Sequence, residues 1–197
     1  MKYWLVELKL MYIYEMYKTV AQSQTTIVEL MTPNYANFGG KIHGGHLLSL
    51  IDKVAYVCAA KHAENYCVTV AVDTVEFHHP VNVGELLHLH ASVNYVGKSS
   101  LVIGIKIVAE NIKNKTVVHT NSCYVTMVSV DENGQSKPVY GLSLENPTEV
   151  RRFIEAKKRK EAKKEFKKQF AAERETLQRL DKMDTEGYLK NENCEQI

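Results

Sequence analysis

Two adjacent glycines, Gly44 and Gly45, stand where a turn-rich segment gives way to a long apolar helix pattern. Glycines at such a junction let a ligand approach the backbone closely, because they carry no Cβ. The free N–H groups of a first helical turn point outward with the positive end of the helix dipole. That arrangement can polarise a carbonyl and hold the oxyanion of a tetrahedral intermediate. Glycine pairs also start helices that bind nothing, so the spacing alone leaves both interpretations open.

The second candidate group is Asp52, two helical turns after the glycine pair and on the margin of the apolar stripe. A carboxylate among Leu, Ile, Val and Ala residues is costly unless it is paired or exposed. Partial burial would make it a better proton acceptor, as a general base requires. A partner near Lys53, a bond to a strand residue or simple exposure remain open alternatives. The sequence has no Gly-x-Ser-x-Gly elbow, and Asp52 is the side chain that we favour as base or nucleophile.

A long helix must position both groups. The segment His46 to His62 contains no Pro or Gly, and its apolar residues recur at helical spacing. The stripe is broad enough to predict burial on most sides, and it consists of Leu47, Leu50, Ile51, Val54, Ala55 and Cys58.

The remaining pattern has a period of two, which predicts strands. A short strand over Thr25 to Met31 precedes the helix, and alternating segments follow it at Val68–Phe77, Leu87–Tyr95, Leu101–Ile107 and Val117–Val130. The first of these slips in parity near Asp73 and Thr74, where a bulge or bend is expected. Short connections at Gly97-Lys98 and at Asn111 to Lys115 predict hairpins. Four strands in meander order after one long helix predict an antiparallel sheet wrapped on that helix, an α+β fold.

Composition sets the broad class. The chain has 197 residues, 45% hydrophobic and 24% charged, which suits a globular protein with one domain and appendages or with two small domains. The formal charge of +2 conceals an asymmetry. Residues 151–182 contain 13 Lys and Arg against 6 Asp and Glu, whereas residues 1–150 contain 11 against 13. The basic C-terminal segment and the rest of the chain therefore differ in charge, and we treat them as separate regions.

From Thr148 the composition predicts a basic helix with no breaker until Gly187. Its apolar seam is narrow, which is typical of a solvated helix or a coiled-coil edge; the seam is Phe166, Phe170, Leu177 and Leu180. Such a helix could bind nucleic acid, an acidic lipid or an acidic partner. Glu residues interrupt its basic runs, however, so we favour a solvated helix of mixed charge and consider nucleic acid an unfavoured partner.

Several classes of protein and site are disfavoured. The four cysteines (Cys58, Cys67, Cys123 and Cys194) stand far apart, which suits reduced thiols in a cytoplasm. No stretch approaches the roughly 20 apolar residues of a membrane span. Near the start, charges at Glu7, Lys9 and Glu15 argue against a signal peptide and favour an N-terminal extension, either frayed or docked through Trp4, Leu8 and Met11.

Metal and nucleotide sites are also disfavoured. His88 and His90 share a strand face, but no carboxylate or Cys stands beside them at ligand spacing, so we predict no metal site. The tripeptide Gly97-Lys98-Ser99 resembles the end of a phosphate-binding loop, yet Ser92 occupies the place of its first Gly. A Walker-type loop is excluded, although a lysine and two hydroxyls at this turn could contact a phosphate.

The ordered series of these residues resembles the signature of the hotdog-fold acyl-CoA hydrolases, the cytosolic acyl-coenzyme A hydrolase family. The resemblance rests on Asn37, Gly40, the Gly44-Gly45 pair and Asp52. It continues through Val68–Asp73, Phe77–Gly84, Gly97–Ser100 and Lys137–Val139. It covers residues 24–142 and leaves the first 20 residues and the basic tail unexplained.

The resemblance implies a hotdog fold and hydrolysis of acyl-CoA thioesters to free acid and coenzyme A, with no cofactor besides the coenzyme within the substrate. It implies Asp52 as catalytic carboxylate, helped by the amides of Gly44 and Gly45, and Asn37 as an orienting residue from the other protomer of a dimer. Lys98, Ser99 and Ser100 would contact the coenzyme's phosphates. We expect a cytoplasmic enzyme of fatty acid metabolism, a homodimer with shared active sites that assembles as a trimer of dimers.

The sequence thus predicts an N-terminal extension at 1–22, a hotdog domain at 23–142 and a basic helical tail at 143–197. Two other functions remain as alternatives. One is a non-catalytic hotdog binding module whose basic helix binds nucleic acid or an acidic partner. The other is a hotdog dehydratase, which usually needs a His paired with a carboxylate; the signature here is that of the hydrolases.

Overall fold

A computed structural model describes residues 16–178 of the chain. Seven strands and three α-helices follow one another along these residues, with one short 3-10 turn at Pro33–Tyr35. The elements are β1 (Tyr17–Thr19), α1 (Val20–Ser23), β2 (Thr25–Leu30), α2 (Gly44–Ala63), β3 (Cys67–Val72), β4 (Leu86–Val96), β5 (Ser100–Asn111), β6 (Thr116–Ser129), β7 (Gly141–Ser143) and α3 (Pro147–Leu177).

The predicted long helix is confirmed as α2, which begins at Gly44 and ends at Ala63. Glu64 ends it in a left-handed conformation with φ 50°, and its N–H bonds to the carbonyl of Ala60. Every member of the predicted apolar stripe is buried, along with Ala59, His62 and Ala63. The helix is therefore the centre of the core rather than a surface element.

Five strands form one antiparallel sheet in the order β2-β4-β5-β6-β3. The two predicted hairpins are present, joining β4 to β5 and β5 to β6. The predicted meander of four strands is wrong for β3, which pairs with β6 at the far edge instead of with β4. A long irregular connection between Val72 and Leu86 makes this crossover possible, since a tight turn would have forced β3 and β4 to pair.

Strand β3 is also shorter than the alternating pattern predicts. It ends at Val72 rather than Phe77, and its register shift lies between Thr69 and Ala71 instead of near Asp73. Val70 is the extra residue of this bulge and is 61% exposed. The β-branched residues after Val72 thus belong to a loop, which shows that propensity alone does not make a strand.

The two faces of the sheet differ, and we name them here. On the inner face, alternate residues of β4, β5 and β6 pack against α2 and form the core, as Leu89, Ile105 and Val125 do. The outer face carries the intervening residues of these strands, which are mostly polar; those of β4 are His88, His90, Ser92 and Asn94. The alternation of the sequence is therefore an alternation between a dry core and a polar surface.

A second, two-stranded sheet joins β1 to β7 in parallel and was not predicted from the sequence. Lys18 of β1 contacts Glu64 at 2.6 Å and lies 4.6 Å from the centre of the Tyr140 ring. Val20 and Ser23 are buried nearby. The residues from Tyr17 onward thus belong to the body; Trp4, Leu8 and Met11 lie outside the described residues.

Helix α3 begins after Asn146, whose side chain accepts the Glu149 N–H, and the Glu149 carboxylate accepts the Glu145 N–H. Phe153 packs on Tyr95 with ring centroids 5.1 Å apart, and Ala156 is buried. The described residues up to Ala156 form one compact unit and a second unit begins at Lys157, so the sequence-derived boundary at residue 142 stays a prediction.

The second unit consists of the remainder of α3, which the sequence predicts as a basic helix. Phe166 and Phe170 stack on each other with centroids 5.8 Å apart, and both are more than half exposed. Leu177 is exposed as well, while Leu180 lies outside the described residues. None of the helices between residues 16 and 178 has the length and apolar composition needed to cross a bilayer.

Candidate active site

The loop before α2 is fixed against the first turn of that helix. The carbonyl of Tyr35 accepts the His43 N–H at 2.8 Å, and the Ile42 N–H donates to the Val81 carbonyl at 2.9 Å. The Tyr35 ring stacks on His46 with a centroid distance of 3.6 Å. Because these contacts join the two ends of the loop to rigid elements, its backbone has a fixed direction toward the start of α2.

The glycine pair at the helix start is asymmetric. His43 is the N-cap residue, and its Nδ1 accepts the Gly45 N–H at 2.9 Å. A Cβ on Gly45 would lie 3.0 Å from that nitrogen, so the imidazole would have to move slightly to accommodate a larger residue. The sequence analysis named the amides of both glycines as candidates; in the structure the Gly44 N–H has no acceptor among the described residues, whereas the Gly45 N–H is engaged by His43.

Asp52 lies exposed on the margin of α2 and accepts a hydrogen bond from the Thr69 hydroxyl of β3, with 2.6 Å between the two oxygens. The Thr69 oxygen also lies 3.1 Å from Met127 Sδ. The alternatives left open by the sequence are thus decided for one protomer: the carboxylate is exposed, and its partner is a strand residue. Its second oxygen stays open to solvent or substrate.

Thr69 is a candidate site residue that the sequence analysis missed. In sequence it is one of several β-branched residues in an alternating strand, and its hydroxyl carries no motif. Its contact with Asp52 depends on β3 lying at the edge beside β6, where it faces α2. A correct strand order would have placed a hydroxyl near the carboxylate, whereas the predicted meander did not.

Asn37 uses its side chain to shape its own loop. Its Oδ1 accepts the N–H groups of Gly39 at 2.9 Å and Lys41 at 3.2 Å, and its carbonyl accepts the Gly40 N–H. Gly40 has φ +72°, a left-handed conformation that favours glycine. The oxygen of Asn37 is therefore occupied, and within the described residues its amide nitrogen has no hydrogen-bond acceptor. That nitrogen can donate to a substrate or a water.

The segment Lys98 to Ser100 forms the tip and exit of the β4–β5 hairpin. Carbonyls of Lys98 and Ser99 accept the N–H groups of Val139 and Ser129, which anchors the turn, and Lys98 is exposed. Leu101 and Thr69 flank Met127 on opposite sides. The turn thus lies at the same end of the sheet as Thr69, about 10 Å away across two strand spacings.

One protomer does not bring all of these candidates together. Asp52 bonds to Thr69, whereas no hydrogen bond in the described part of the chain joins Asp52 to Asn37, Gly44 or Lys98. Between residues 16 and 178, no group of three or more His, Cys, Asp and Glu is placed to hold a metal ion. The chemistry available in the described residues is therefore that of one exposed carboxylate, one free helix-start amide and a flexible cation.

The sequence matches one family profile and is similar to one bacterial relative. The thioesterase superfamily profile matches residues 39–115, which span the end of the loop before α2, helix α2 itself and strands β3 to β5. Protein VdlD of Helicobacter pylori is 46% identical over 143 residues, which cover 73% of this chain and 82% of that protein.

Solved structures agree with this result. A hexameric acyl-CoA thioesterase is 33% identical and has a TM-score of 0.74, with 76% of this chain and 96% of that chain covered. An acyl-CoA hydrolase from Staphylococcus aureus, solved with butyryl coenzyme A, coenzyme A and coenzyme A disulfide, is 28% identical with a TM-score of 0.73. There the match covers 83% of this chain and 99% of the other.

The Staphylococcus hydrolase has also been solved as three single variants, in which an Asn, an Asp and a Thr are each replaced by Ala. These three positions are separated by the same intervals as Asn37, Asp52 and Thr69 in this chain. The agreement of residue type and spacing links the two residues expected from sequence with the one found in the structure.

Proposed function

We propose that this chain, which belongs to the hotdog-fold acyl-CoA thioester hydrolases of the thioesterase superfamily, converts acyl-CoA thioesters into free carboxylic acids and coenzyme A. The observation that carries the proposal is the exposed Asp52 carboxylate held by the Thr69 hydroxyl at 2.6 Å. Fixed at one oxygen, the carboxylate presents the other to a water molecule in a constant direction.

Hydrolysis then proceeds by addition and elimination. Asp52 removes a proton from water, and the resulting hydroxide forms a bond to the thioester carbonyl carbon. The carbonyl electrons move to oxygen, where the N–H of Gly44 stabilises the negative charge with the help of the helix dipole. When the oxyanion collapses, the carbon–sulfur bond breaks and the thiolate of coenzyme A takes the proton from Asp52. Direct attack by Asp52, giving an anhydride that water then cleaves, is the variant of this route that we keep as second choice.

The helix geometry favours a site built from two protomers. Gly44 and Asp52 are eight residues apart on α2, a separation of about 12 Å along the axis at 1.5 Å per residue. One carbonyl must lie about 3 Å from its oxyanion donor while the attacking water contacts the base. The separation along one helix therefore disfavours Gly44 and Asp52 of the same chain as the pair that acts together. We infer that Asp52 of one protomer acts with Gly44 and Asn37 of the partner, whose helix runs in the opposite direction.

The surface around these groups supports a second copy. Strand β3 is the edge of the sheet, so one side of its backbone is free to pair, and Val70 and Val72 on it are 61% and 43% exposed. Phe38, next to Asn37, is fully exposed, and Phe77 near Gly44 is 50% exposed. Large apolar side chains beside a free strand edge favour association with another chain. The hexameric relative agrees with a trimer of such dimers.

Recognition of the coenzyme rests on local groups in this proposal. Lys98 is exposed at the hairpin tip and makes no ion pair within the described residues, so it can contact a phosphate. The hydroxyls of Ser99 and Ser100 stand beside it. Replacement of Lys98 with Gln should raise KM for acyl-CoA and leave kcat nearly unchanged, because the lysine binds the substrate without touching the thioester.

The experiment that tests the function measures thiol release from a panel of acyl-CoA esters of increasing chain length. The purified full chain should release coenzyme A, and Asp52→Asn should lower kcat by about a hundredfold to ten-thousandfold, the contribution typical of a general base. The matched control is Glu132→Gln, which neutralises an exposed loop carboxylate far from the helix in sequence. It should retain wild-type kcat.

Two results would contradict the proposal. If no ester of the panel is cleaved by the wild-type chain, the hydrolase function is wrong for this protein. If Asp52→Asn hydrolyses at the wild-type rate while remaining folded and able to bind coenzyme A, the function stands but Asp52 is not the base. A single turnover in heavy-oxygen water separates base from nucleophile, since only a nucleophilic Asp52 delivers its own oxygen to the acid or takes up the label.

A further inference from the structure

A cavity of about 360 Å³ opens on the outer face of the sheet, on the side away from α2. Strands β2, β4, β5 and β6 form its floor, and the first turns of α3 form one wall. Because the sheet separates it from α2, this cavity is distinct from the site of Asp52 in the same protomer. Its polar and charged lining includes His90, Ser92, Asn94, Lys106, Arg151 and Arg152.

The charges around this cavity are unbalanced. Three permanent cations line it, and no Asp or Glu belongs to its lining. Arg151 is paired with Glu155 at 2.7 Å, one helical turn further on. Lys106 and Arg152 make no ion pair with any residue between 16 and 178. The cavity therefore holds two uncompensated positive charges in a recess, where low-dielectric walls strengthen their field.

The floor of the cavity offers an unused hydrogen-bond donor. Asn94 is 6% exposed, and its Oδ1 accepts the hydroxyl of Ser92 at 3.0 Å. That bond directs the amide, and its Nδ2 has no acceptor among the described residues. Because Asn94 lines the cavity, this N–H group can donate to a molecule that enters it. A ligand with acceptor oxygens would accept this hydrogen bond.

The strand geometry shows why this amide lies flat on the floor. The register of β4 against β5 shifts between Val93 and Tyr95, so Asn94 is the extra residue of a bulge, a device that redirects a side chain. On the neighbouring strand, Gly104 pairs with Ser92, and a Cβ at Gly104 would clash with Asn94 Nδ2. Glycine in a strand interior often marks a close approach of another group. Bulge and glycine together make room for the amide.

The pKa of His90 is consistent with the same positive field. Burial lowers the pKa of this imidazole, and the nearby charges of His88 and Lys106 lower it further. Its Nδ1 lies 3.1 Å from the hydroxyl of Thr26, so the ring has a fixed position at the cavity. The environment thus disfavours one more positive charge, as expected where cations outnumber anions.

We propose that this outer-face cavity binds a small phosphate-bearing anion. Two free cations, a buried amide donor and several hydroxyls are the groups that recognise phosphate oxygens. The volume suits a phosphate monoester or a pyrophosphate group, being at the lower end of the range for small-molecule sites. The same chemistry has two sources, a free phosphate compound or the phosphates of a coenzyme A molecule, and the experiment separates them.

Calorimetric titration with pyrophosphate tests the site on the full chain at low ionic strength. The wild type should bind with a saturable signal, and Arg152→Gln or Lys106→Gln should each weaken binding about tenfold, as loss of a charge-assisted contact does. Asn94→Asp, nearly isosteric, should weaken it more, because it sets a carboxylate on the floor of the cavity. The matched control is Lys113→Gln in the exposed β5–β6 turn, which should bind as the wild type does.

Kinetics with acyl-CoA then identify the source of the anion. If the same variants raise KM for the substrate, and pyrophosphate competes with it, the cavity takes phosphates of coenzyme A. If KM is unchanged while pyrophosphate still binds, the occupant is a free phosphate compound. The proposal is overturned if pyrophosphate does not bind the wild type, or if Asn94→Asp and Arg152→Gln bind it as tightly as Lys113→Gln does. The calorimetric result does not depend on the hydrolase activity.

Discussion

The inner and outer faces of the sheet are built from the same strands and carry opposite chemistry. On β4, Leu87 and Leu89 are completely buried against α2, whereas His88 and His90, which alternate with them, lie on the outer face. The inner-face residues pack the core. The carboxylate that we assign to catalysis, Asp52, lies on the margin of the helix instead. The outer face contributes little to the core and carries cations, hydroxyls and a bulge.

This contrast indicates where functional groups can be placed in this fold. A reactive group within the inner face would need to be buried, which is costly for a charge, so we place the proposed active site at the edge of the sheet, where a second protomer could close it. The outer face tolerates polar groups because it is solvated on one side. Substitutions on the inner face should therefore lower the stability of the protein, whereas substitutions on the outer face should weaken ligand binding.

The largest effect is expected from the inner face. Ile51 is completely buried beside Asp52 on α2, and Ile51→Ala should lower the free energy of unfolding by about 2–5 kcal/mol through lost burial and a residual cavity. Leu48→Ala, on the same helix but 42% exposed, should change it by less than about 1 kcal/mol. Urea denaturation followed by circular dichroism measures both. Equal losses would mean that α2 is not buried on the side described.

The next effect concerns the outer face. Gly104→Ala places a methyl group against the amide of Asn94 and should cost about 1–3 kcal/mol by overpacking. In the double variant with Asn94→Ala, the methyl group has room, so most of that cost should disappear. A thermodynamic cycle from denaturation curves gives the coupling. Additive losses would contradict the close approach of these two residues.

A smaller effect is expected on catalysis from Thr69. Thr69→Val keeps the shape of the side chain but removes the hydroxyl that holds Asp52, and kcat should fall about tenfold, equivalent to roughly 1.4 kcal/mol. Thr126→Val, on the opposite face of the neighbouring strand β6, is the matched control and should leave kcat unchanged. Steady-state thiol release measures kcat for both variants. Equal kcat values for Thr69→Val and the wild type would show that Thr69 has no role in catalysis.

The smallest effect compares buried and exposed histidines. Burial lowers the pKa of His62, whose Nε2 bonds to the Tyr140 carbonyl at 3.0 Å. Below about pH 6.5 the unfolded chain binds a proton that the folded chain rejects, so the free energy of unfolding falls as the pH drops. His62→Gln should flatten this part of the pH profile, while His79→Gln, an exposed control, should not. Identical profiles for both variants would contradict the prediction.

Much of the fold could be predicted from local pattern. The apolar period of α2 and the alternation of β4, β5 and β6 each follow from short stretches of sequence, and the structure confirms them. The position of β3 could not be predicted, because its partner β6 is far away in sequence and the pattern of a strand does not encode its neighbour. The β1–β7 pair was also missed, because its strands are far apart in sequence and each has only three residues, too few to show an alternating pattern.

The site residues that could be predicted are those whose residue type and spacing already indicate a chemical role. Asp52 and the glycine pair could be recognised by type and spacing, whereas Thr69 became visible only when β3 was placed beside α2. The engagement of Gly45 by His43 was also hidden, because it depends on a side-chain orientation at the N-cap. Cytoplasmic location and the absence of a separate cofactor stay predictions.

The binding-module alternative concerns the basic part of α3 and also stays a prediction. Removal of the residues after Ala156 tests it, because this truncation spares the contact of Phe153 with Tyr95. The truncated chain should release thiol from acyl-CoA as the full chain does. A full chain that cleaves no ester but binds nucleic acid, with the binding lost on truncation, would favour the binding module instead.

The central claim is that each active site combines Asp52 of one protomer with Asn37 of its partner. Co-expression of Asp52→Asn and Asn37→Ala chains, each inactive alone, tests it by thiol release, with native mass spectrometry showing that mixed assemblies form. Random pairing leaves one intact site in half of the dimers, so the mixture should recover about a quarter of wild-type activity. Mixed assemblies as inactive as the two parents would contradict the shared site.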